Sequence, residues 1–361
     1  MMKLKENKGN LAKLVGIVVT IALIVILVAA YIIISKDKKP EGWNDNVSVI
    51  TTDEGVKIPL PDGFTKLDIT NKINEGIVIE DKEGNQFVWV PVDISKFERN
   101  NFGQESTPLG YRVIFTSEKD KNIPWDEIVN PDLIYKNGGI WQPENEEEYV
   151  GLLASVEKYG GFYIGRYLAS YVSGDSVENY RAASVKSNGS SIENIIYEQG
   201  RLWNFISAKN AYEVSKNMYK DNLSVVSHIP YGVEYDAIMQ WLIDSGSKTL
   251  DEINKDSTQW GNTYTDAFSG GEEALIDTGE FEETRANNIY DINGNLMEWT
   301  REFFGKNDYP VYRGTYFRTG ANDDVNPWFQ VASDRWWDPS ATPEHETVSR
   351  AVGFRVALFV K

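Results

Sequence analysis

Residues 290–299 read YDINGNLMEW, setting two acidic side chains, Asp291 and Glu298, at either end of a tight Asn-Gly-Asn turn. Asn and Gly accept positive φ, and Asn-Gly is a strong tight-turn pair, so DINGN reads as a loop. Two carboxylates and the carbonyls such a turn exposes can converge on a hard cation, which oxygen ligands suit. The plainer alternative is that both acids cap the turn and pair with Arg301 or another basic residue. Other chemistry is scarce. Cysteine is absent, which removes disulfides, thiolate metal sites and cysteine nucleophiles in one step. The histidines are His228 and His345. His228 adjoins a Pro-containing, strand-like stretch, and no Ser sits in a nucleophile-elbow context, so a Ser-His-Asp triad is not built.

The body that must position these residues is acidic. The chain carries a formal net charge of -18 over 361 residues. Lys3, Lys5, Lys8 and Lys13 against Glu6 make the first 35 residues +3, which leaves -21 for the rest. Such a body repels phosphate backbones and excludes nucleic acid as a partner. Residues 14–34, LVGIVVTIALIVILVAAYIII, are uncharged and at 21 residues long enough to span a bilayer as a helix. A cleaved signal peptide is the alternative, but the run is long for an h-region and no small-x-small site follows it. The four lysines before the run favour a cytoplasmic N-terminus, against the opposing vote of Lys36, Lys38 and Lys39. The expected plan is a cytoplasmic N-terminus (1–13), a transmembrane helix (14–34), a polar tether (35–56) and an extracellular domain (57–361). The expected location is the cell membrane, crossed once.

Within that domain, residues 76–92 give two alternating runs around a Glu-Gly-Asn turn, a β-hairpin signal. Residues 159–172 read as strand, with paired glycines where a backbone must turn or approach closely. Residues 207–218 begin at a possible Ser cap, and 232–245 show apolar residues at helical spacing, so both are expected to be helices. Beyond Asp251 the chain is rich in Gly, Asn, Asp and Trp, and residues 352–360, VGFRVALFV, are strongly β-prone. The mixture indicates an α+β domain with much irregular structure.

The order of motifs adds to this reading. FVWVPV (87–92), GGFYIGRYLAS (160–170), the helix after Ser207, SHIPYGVEYDAIMQWL (227–242), NIYDINGNLMEWT (288–300), YRGTYF (312–317) and VGFRVAL (352–358) follow one another. Over roughly residues 80–361 the chain thus resembles the formylglycine-generating enzyme, or sulfatase-modifying factor, family. That resemblance implies a C-type lectin-like fold. Residues 227–242 stand where the family usually reads RLPTEAEWEYA. The resemblance places a calcium site on the opening stretch, with the Asp291 side chain, the Gly294 and Leu296 carbonyls and the Glu298 carboxylate as ligands. Family members usually have Asn at the place of Asp291, so this chain keeps the oxygen and adds charge. The family's copper oxidase uses paired cysteines after an RGG motif. Here that place reads RGTYFRTGANDDVNPWF (313–329), without Cys. A related branch holds iron on three histidines, which two histidines cannot supply.

These observations favour a membrane-anchored extracellular binding domain for a protein or glycan over the alternative, a divergent enzyme of the same family. Variable proteins of diversity-generating retroelements use this fold with a hypervariable surface just before a terminal Gly-Phe-Arg. Residues 316–350 stand at that place. Trp328, Trp336 and Trp337, set among Asn, Asp, Ser and Pro, are candidate ligand contacts. Their alternative role is to hold loops down against the core. Arg313 and Arg355 flank fold motifs and suit buried pairing with carboxylates such as Glu298 or Asp334. Incubated with copper and a sulfatase-type cysteine peptide, the protein is expected to give no formylglycine by mass spectrometry. Product above a heat-killed control would refute the loss of oxidase chemistry.

Overall fold

The computed structural model describes residues 15, 17–25, 38–94, 142–172, 181–186, 201–254, 256–263, 275–304, 309–318, 331–333, 335–337 and 349–361. In chain order the elements are β1 (Val47–Thr51), β2 (Lys57–Pro61), β3 (Phe64–Lys66), β4 (Val78–Asp81), β5 (Gln86–Pro91), α1 (Gln142–Tyr159), β6 (Gly161–Gly165), β7 (Ser170–Val172) and β8 (Arg181–Ala183). They continue as α2 (Ala208–Met218), β9 (Val225–His228), α3 (Gly232–Asp244), α4 (Leu250–Asn254), β10 (Arg285–Ala286), β11 (Ile289–Tyr290), β12 (Met297–Phe304), β13 (Tyr309–Arg313), β14 (Arg335–Trp337), β15 (Val352–Gly353) and β16 (Ala357–Val360). The architecture is α+β, as the sequence indicates.

A six-stranded antiparallel sheet runs in the order β3-β4-β5-β6-β16-β9. It is buried on both faces, and side-chain alternation sorts its residues between two cores. Phe87 and Trp89 of β5, Tyr163 of β6 and Leu358 and Val360 of β16 pack into one core with Trp203, Trp299 and Phe354. Their neighbours Val88, Val90, Phe162, Ile164, Ala357 and Phe359 face a second core, built with α1 and α3 from Leu152, Val156, Tyr235, Ile238 and Leu242. A smaller sheet runs β14-β13-β12-β15, with β12 and β15 parallel. The expected hairpin at 76–92 is β4–β5. Its turn is fixed by Asp81 Oδ1, which accepts the N–H groups of Glu83 (2.9 Å) and Asn85 (2.8 Å).

Both expected helices form. Ser207 caps α2 by accepting the Asn210 N–H at 3.2 Å, and α3 ends against Ser245. The paired glycines divide their work: Gly160 closes α1 at φ 81°, while a Cβ on Gly161 would sit 2.2 Å from the Val90 carbonyl oxygen. Three features differ from expectation. The strands expected at 159–172 and 352–360 are each broken in two, the second at Phe354-Arg355-Val356. Helix α1 stands unforeseen ahead of β6. The tether expected over 35–56 contains β1, which pairs antiparallel with β2 and buries Val47 and Ile50.

Of the apolar run 14–34, residues 15 and 17–25 are described. They are helical, and their large apolar side chains are exposed, from Val19 (51%) to Val25 (61%). Among the described residues no helix is long and apolar enough to cross a membrane, so the expected transmembrane helix has no support from the described part of the run.

Gly76 and Gly84 separate two costs of replacing glycine. Both lie at positive φ (87° and 85°), but a Cβ on Gly84 meets nothing within 4 Å, whereas one on Gly76 would sit 2.1 Å from the Asn287 carbonyl oxygen. Gly84→Ala is expected to cost about 1 kcal/mol, and Gly76→Ala about 2–4 kcal/mol. Chemical denaturation of the two variants checks the order; equal losses would show that the Gly76–Asn287 approach yields freely.

Candidate functional site

The stretch from β10 to β12 folds by a run of left-handed backbone. Asn287 (φ 45°) and Asn288 (φ 64°) form the two-residue turn between β10 and β11, and Asp291 (53°), Gly294 (81°) and Asn295 (61°) follow. Outside glycine, Asn and Asp are the residues that tolerate this region. Their side chains then tie the loop down. Asn288 donates to the Glu75 (2.8 Å) and Gly76 (2.9 Å) carbonyls. Asn293 donates to the Ser257 carbonyl (2.8 Å) and accepts from the Thr315 hydroxyl (2.7 Å). Asn295 exchanges bonds with both backbone groups of Ile276.

Asp291 stands at the centre of this loop, fully buried. Its Oδ2 accepts the Gly279 N–H at 3.3 Å, while Oδ1 has no hydrogen-bond partner among the described residues. Burial pushes its carboxyl up to about 6, against the opposing pull of the Thr278 and Thr284 hydroxyls and of Arg355. The turn's carbonyls are unevenly used. Tyr290 O accepts from Arg355 (2.8 Å), Ile292 O from the Tyr235 hydroxyl (3.0 Å) and Asn295 O from the Phe317 N–H (3.1 Å). The Gly294 and Leu296 carbonyls take part in none of the hydrogen bonds among the described residues.

Glu298 is engaged elsewhere. Arg355 holds it through Nη2 to Oε1 (3.0 Å) and Nε to Oε2 (3.1 Å), inside the core. Burial raises the Glu298 carboxyl while Arg355 lowers it, with a net upward shift. The partner is thus Arg355 and not Arg301. Asp291 Oδ1 and the two carbonyls are oxygen donors of the kind calcium takes, whereas both oxygens of Glu298 are already shared with Arg355. Among the described residues no three His, Asp or Glu side chains form a metal cage by themselves.

Two further buried arginines flank this site. Along β12 (MEWTREFF), Glu298, Thr300 and Glu302 face the other way from Trp299 and Arg301. Arg313 bonds Asp236 of α3 (2.6 Å) and Glu302 (3.1 Å) and stacks over the Tyr235 ring at 4.6 Å. Arg301 lies over the Tyr212 ring at 4.0 Å, with Glu148 of α1 at 4.0 Å. Beside it, His228 Nε2 meets Glu234 Oε2 at 2.8 Å, and the same oxygen accepts the Tyr231 N–H (2.8 Å) that opens α3. Sequence reasoning missed Glu148, Glu234, Asp236 and Glu302. The one local signal was Glu234, three residues into a helix, where an acid reaches back to the cap.

Trp336 lies in β14, opposite Tyr312 of β13, and is half-buried against the main core. Trp328 and the Trp337 side chain lie outside the described residues, as do Asp334 and His345. No family model matches the chain, and no curated protein is significantly similar to it. A solved structure described as "Crystal Structure of CarF" is similar at 13% identity and a TM-score of 0.38, over 56% of this chain and 87% of that one. A likeness of that size carries no argument.

The His228–Glu234 pair gives a pH dependence with a definite sign. Burial opposes protonation of His228, but Glu234, and behind it Glu148, outweigh burial and raise its pKa above the usual 6.5. Its contribution to stability is therefore full below about pH 6.5 and is lost as pH rises through the folded value. His228→Gln is expected to flatten this part of the pH–stability curve, measured by urea denaturation. An unchanged curve would show that the pair does not titrate there.

Proposed function

We propose that this chain is a membrane-anchored extracellular binding domain on a sulfatase-modifying-factor-like, C-type lectin-like scaffold. Its loop 290–298 holds a structural calcium ion. Its ligand is a protein or glycan, met on the face where residues 316–350 leave and rejoin the framework. The observation that carries the calcium reading is Asp291, a buried carboxylate with an unused oxygen, in a loop whose Gly294 and Leu296 carbonyls are also unused. A charge in that setting is costly unless it is neutralised, and a divalent cation both neutralises it and fills its coordination.

The binding reading is supported by where the charges sit. Arg313 and Arg355 are paired with carboxylates inside the core, and His228 and Glu234 are fully buried. A divergent enzyme would need an acid or base open to substrate. Arg313 and β14 hold residues 331–337 to the framework, and Phe317 and Ala351 bond the Asn-rich loop at either side. Trp336 is the described member of the proposed ligand contacts, with Trp328 and Trp337 as the others. Anchoring through residues 14–34 places the acidic body outside the cell.

Calcium bound only to the folded state raises stability by about 2.7 kcal/mol at a hundredfold excess over its Kd. The full chain in detergent should show this as a higher Tm in calcium than in chelator. Asp291→Ala is expected to abolish the rise. Asp291→Asn is expected to stabilise the metal-free protein at pH 7, by up to about 3 kcal/mol for a shift from 3.8 to about 6, and to shrink the rise. No rise in the native protein, or an equal one in Asp291→Ala, would remove calcium from this loop.

A further inference from the structure

We infer that one pole of the domain, formed by residues 38–46, the turn at 219–224 and Lys361, rests on the phospholipid surface of the bilayer that residues 14–34 enter. This rests on the membrane-anchor reading above and adds a partner and an orientation to it.

The first observation is chain length. The apolar run ends at Ile34, and Lys39 already donates through Nζ to the Asn44 carbonyl (2.9 Å). Five extended residues reach at most about 18 Å, so the domain has little freedom to stand off. Docking is then tight. Trp43 packs edge-on against Tyr159 with ring centroids 5.1 Å apart. Asn44 donates to the Lys361 carbonyl (2.5 Å) and accepts from Lys158 Nζ (2.6 Å). Asn46 donates to the Leu223 carbonyl (2.9 Å).

The second observation is charge. Lys38, Lys39, Lys158, Lys220 and Lys361 gather at this pole against Glu41, Asp45, Asp62, Glu157 and Asp221, an even balance, while residues 36–361 together carry -21. Where the headgroup surface carries anionic lipid it repels the acidic body but not this balanced pole, so charge turns the pole toward the membrane. The third observation is Leu223. It is 82% exposed, the most exposed large apolar residue among those described, and lies between Asn222 and Ser224. An apolar side chain there costs nothing once it reaches the headgroup boundary. The candidate cation loop lies at the far end of β16, beyond Arg355. The four residues of β16, about 13 Å of strand, separate that end from Lys361, so that loop faces away from the lipid.

Because the chain lacks cysteine, one introduced thiol labels one site. The full chain is reconstituted in phosphatidylcholine–phosphatidylserine vesicles, with bimane at Leu223→Cys or at Glu280→Cys, beside Asp291. Spin-labelled headgroup lipid is expected to quench the Leu223 probe several-fold more than the Glu280 probe. Lys158→Glu with Lys220→Glu is expected to reduce that difference. Retention of the protein on vesicles through a carbonate wash with equal quenching at both sites would overturn the inference alone. Release by the wash would overturn the anchor reading and the inference with it.

Discussion

Arg355 and Glu298 form the contact on which the rest of the domain depends. A guanidinium cannot be neutralised by losing its proton, so once buried it must find fixed oxygens for its N–H groups. Arg355 finds them on three elements: the Glu298 carboxylate of β12, the Gly165 carbonyl that ends β6 (2.9 Å), and the Tyr290 carbonyl of β11. The large sheet, the small sheet and the Asn-rich loop therefore meet at one cation. Breaking such a pair leaves an uncompensated interior charge, which costs about 3–5 kcal/mol.

The same device recurs. Arg313 ties β13 to α3 and β12, and Arg301 sits on Tyr212 of α2 near Glu148 of α1. Ion pairs of this kind add little net stability over apolar packing, but they discriminate between registers. In the β12–β13 pair Glu298 stands opposite Arg313. A slip by one residue would turn both out of their charged surroundings and drive Trp299 toward them. A chain without disulfides thus uses oriented charge where crosslinks could have fixed its loops. The carboxylate left over from this pairing is Asp291, and the candidate cation site follows from that imbalance.

What could be read from the sequence was what local chemistry dictates. Ser207 before a helical run, Glu83-Gly84-Asn85 between alternating runs, and Gly160-Gly161 ahead of β6 each carry their own short-range reason. Helix α1 escaped because its first half, QPENEEE, is polar throughout; its apolar spacing begins only at Tyr149 and continues through Leu152, Val156 and Tyr159. Strand β1 escaped because TDEGV (52–56) follows it directly, and the turn made its surroundings read as linker. The partners of the buried charges were illegible for another reason. Glu298 and Arg355 are 57 positions apart and Arg313 and Asp236 are 77, and a charged side chain gives no sign in sequence of being inside. The acids of 290–299 were visible as a site, but only the packing around them distinguishes Asp291, with its spare oxygen, from Glu298.

The large sheet is completed by its last strand. Leu358 of β16 pairs with Tyr163 of β6 on one side and with Ser227 of β9 on the other, so neither neighbour has its central partner until residues 357–360 exist. At roughly 5–20 residues per second, a ribosome needs about 10–40 s to pass from β6 to β16. Through that interval one edge of β6 has no strand beside it, and the apolar surface of the nascent chain is open to chaperones. Contacts of such long sequence separation fold slowly. The order of synthesis therefore sets the order of folding: the strand that joins β6 to β9 is made after both of them, and only then can the sheet close.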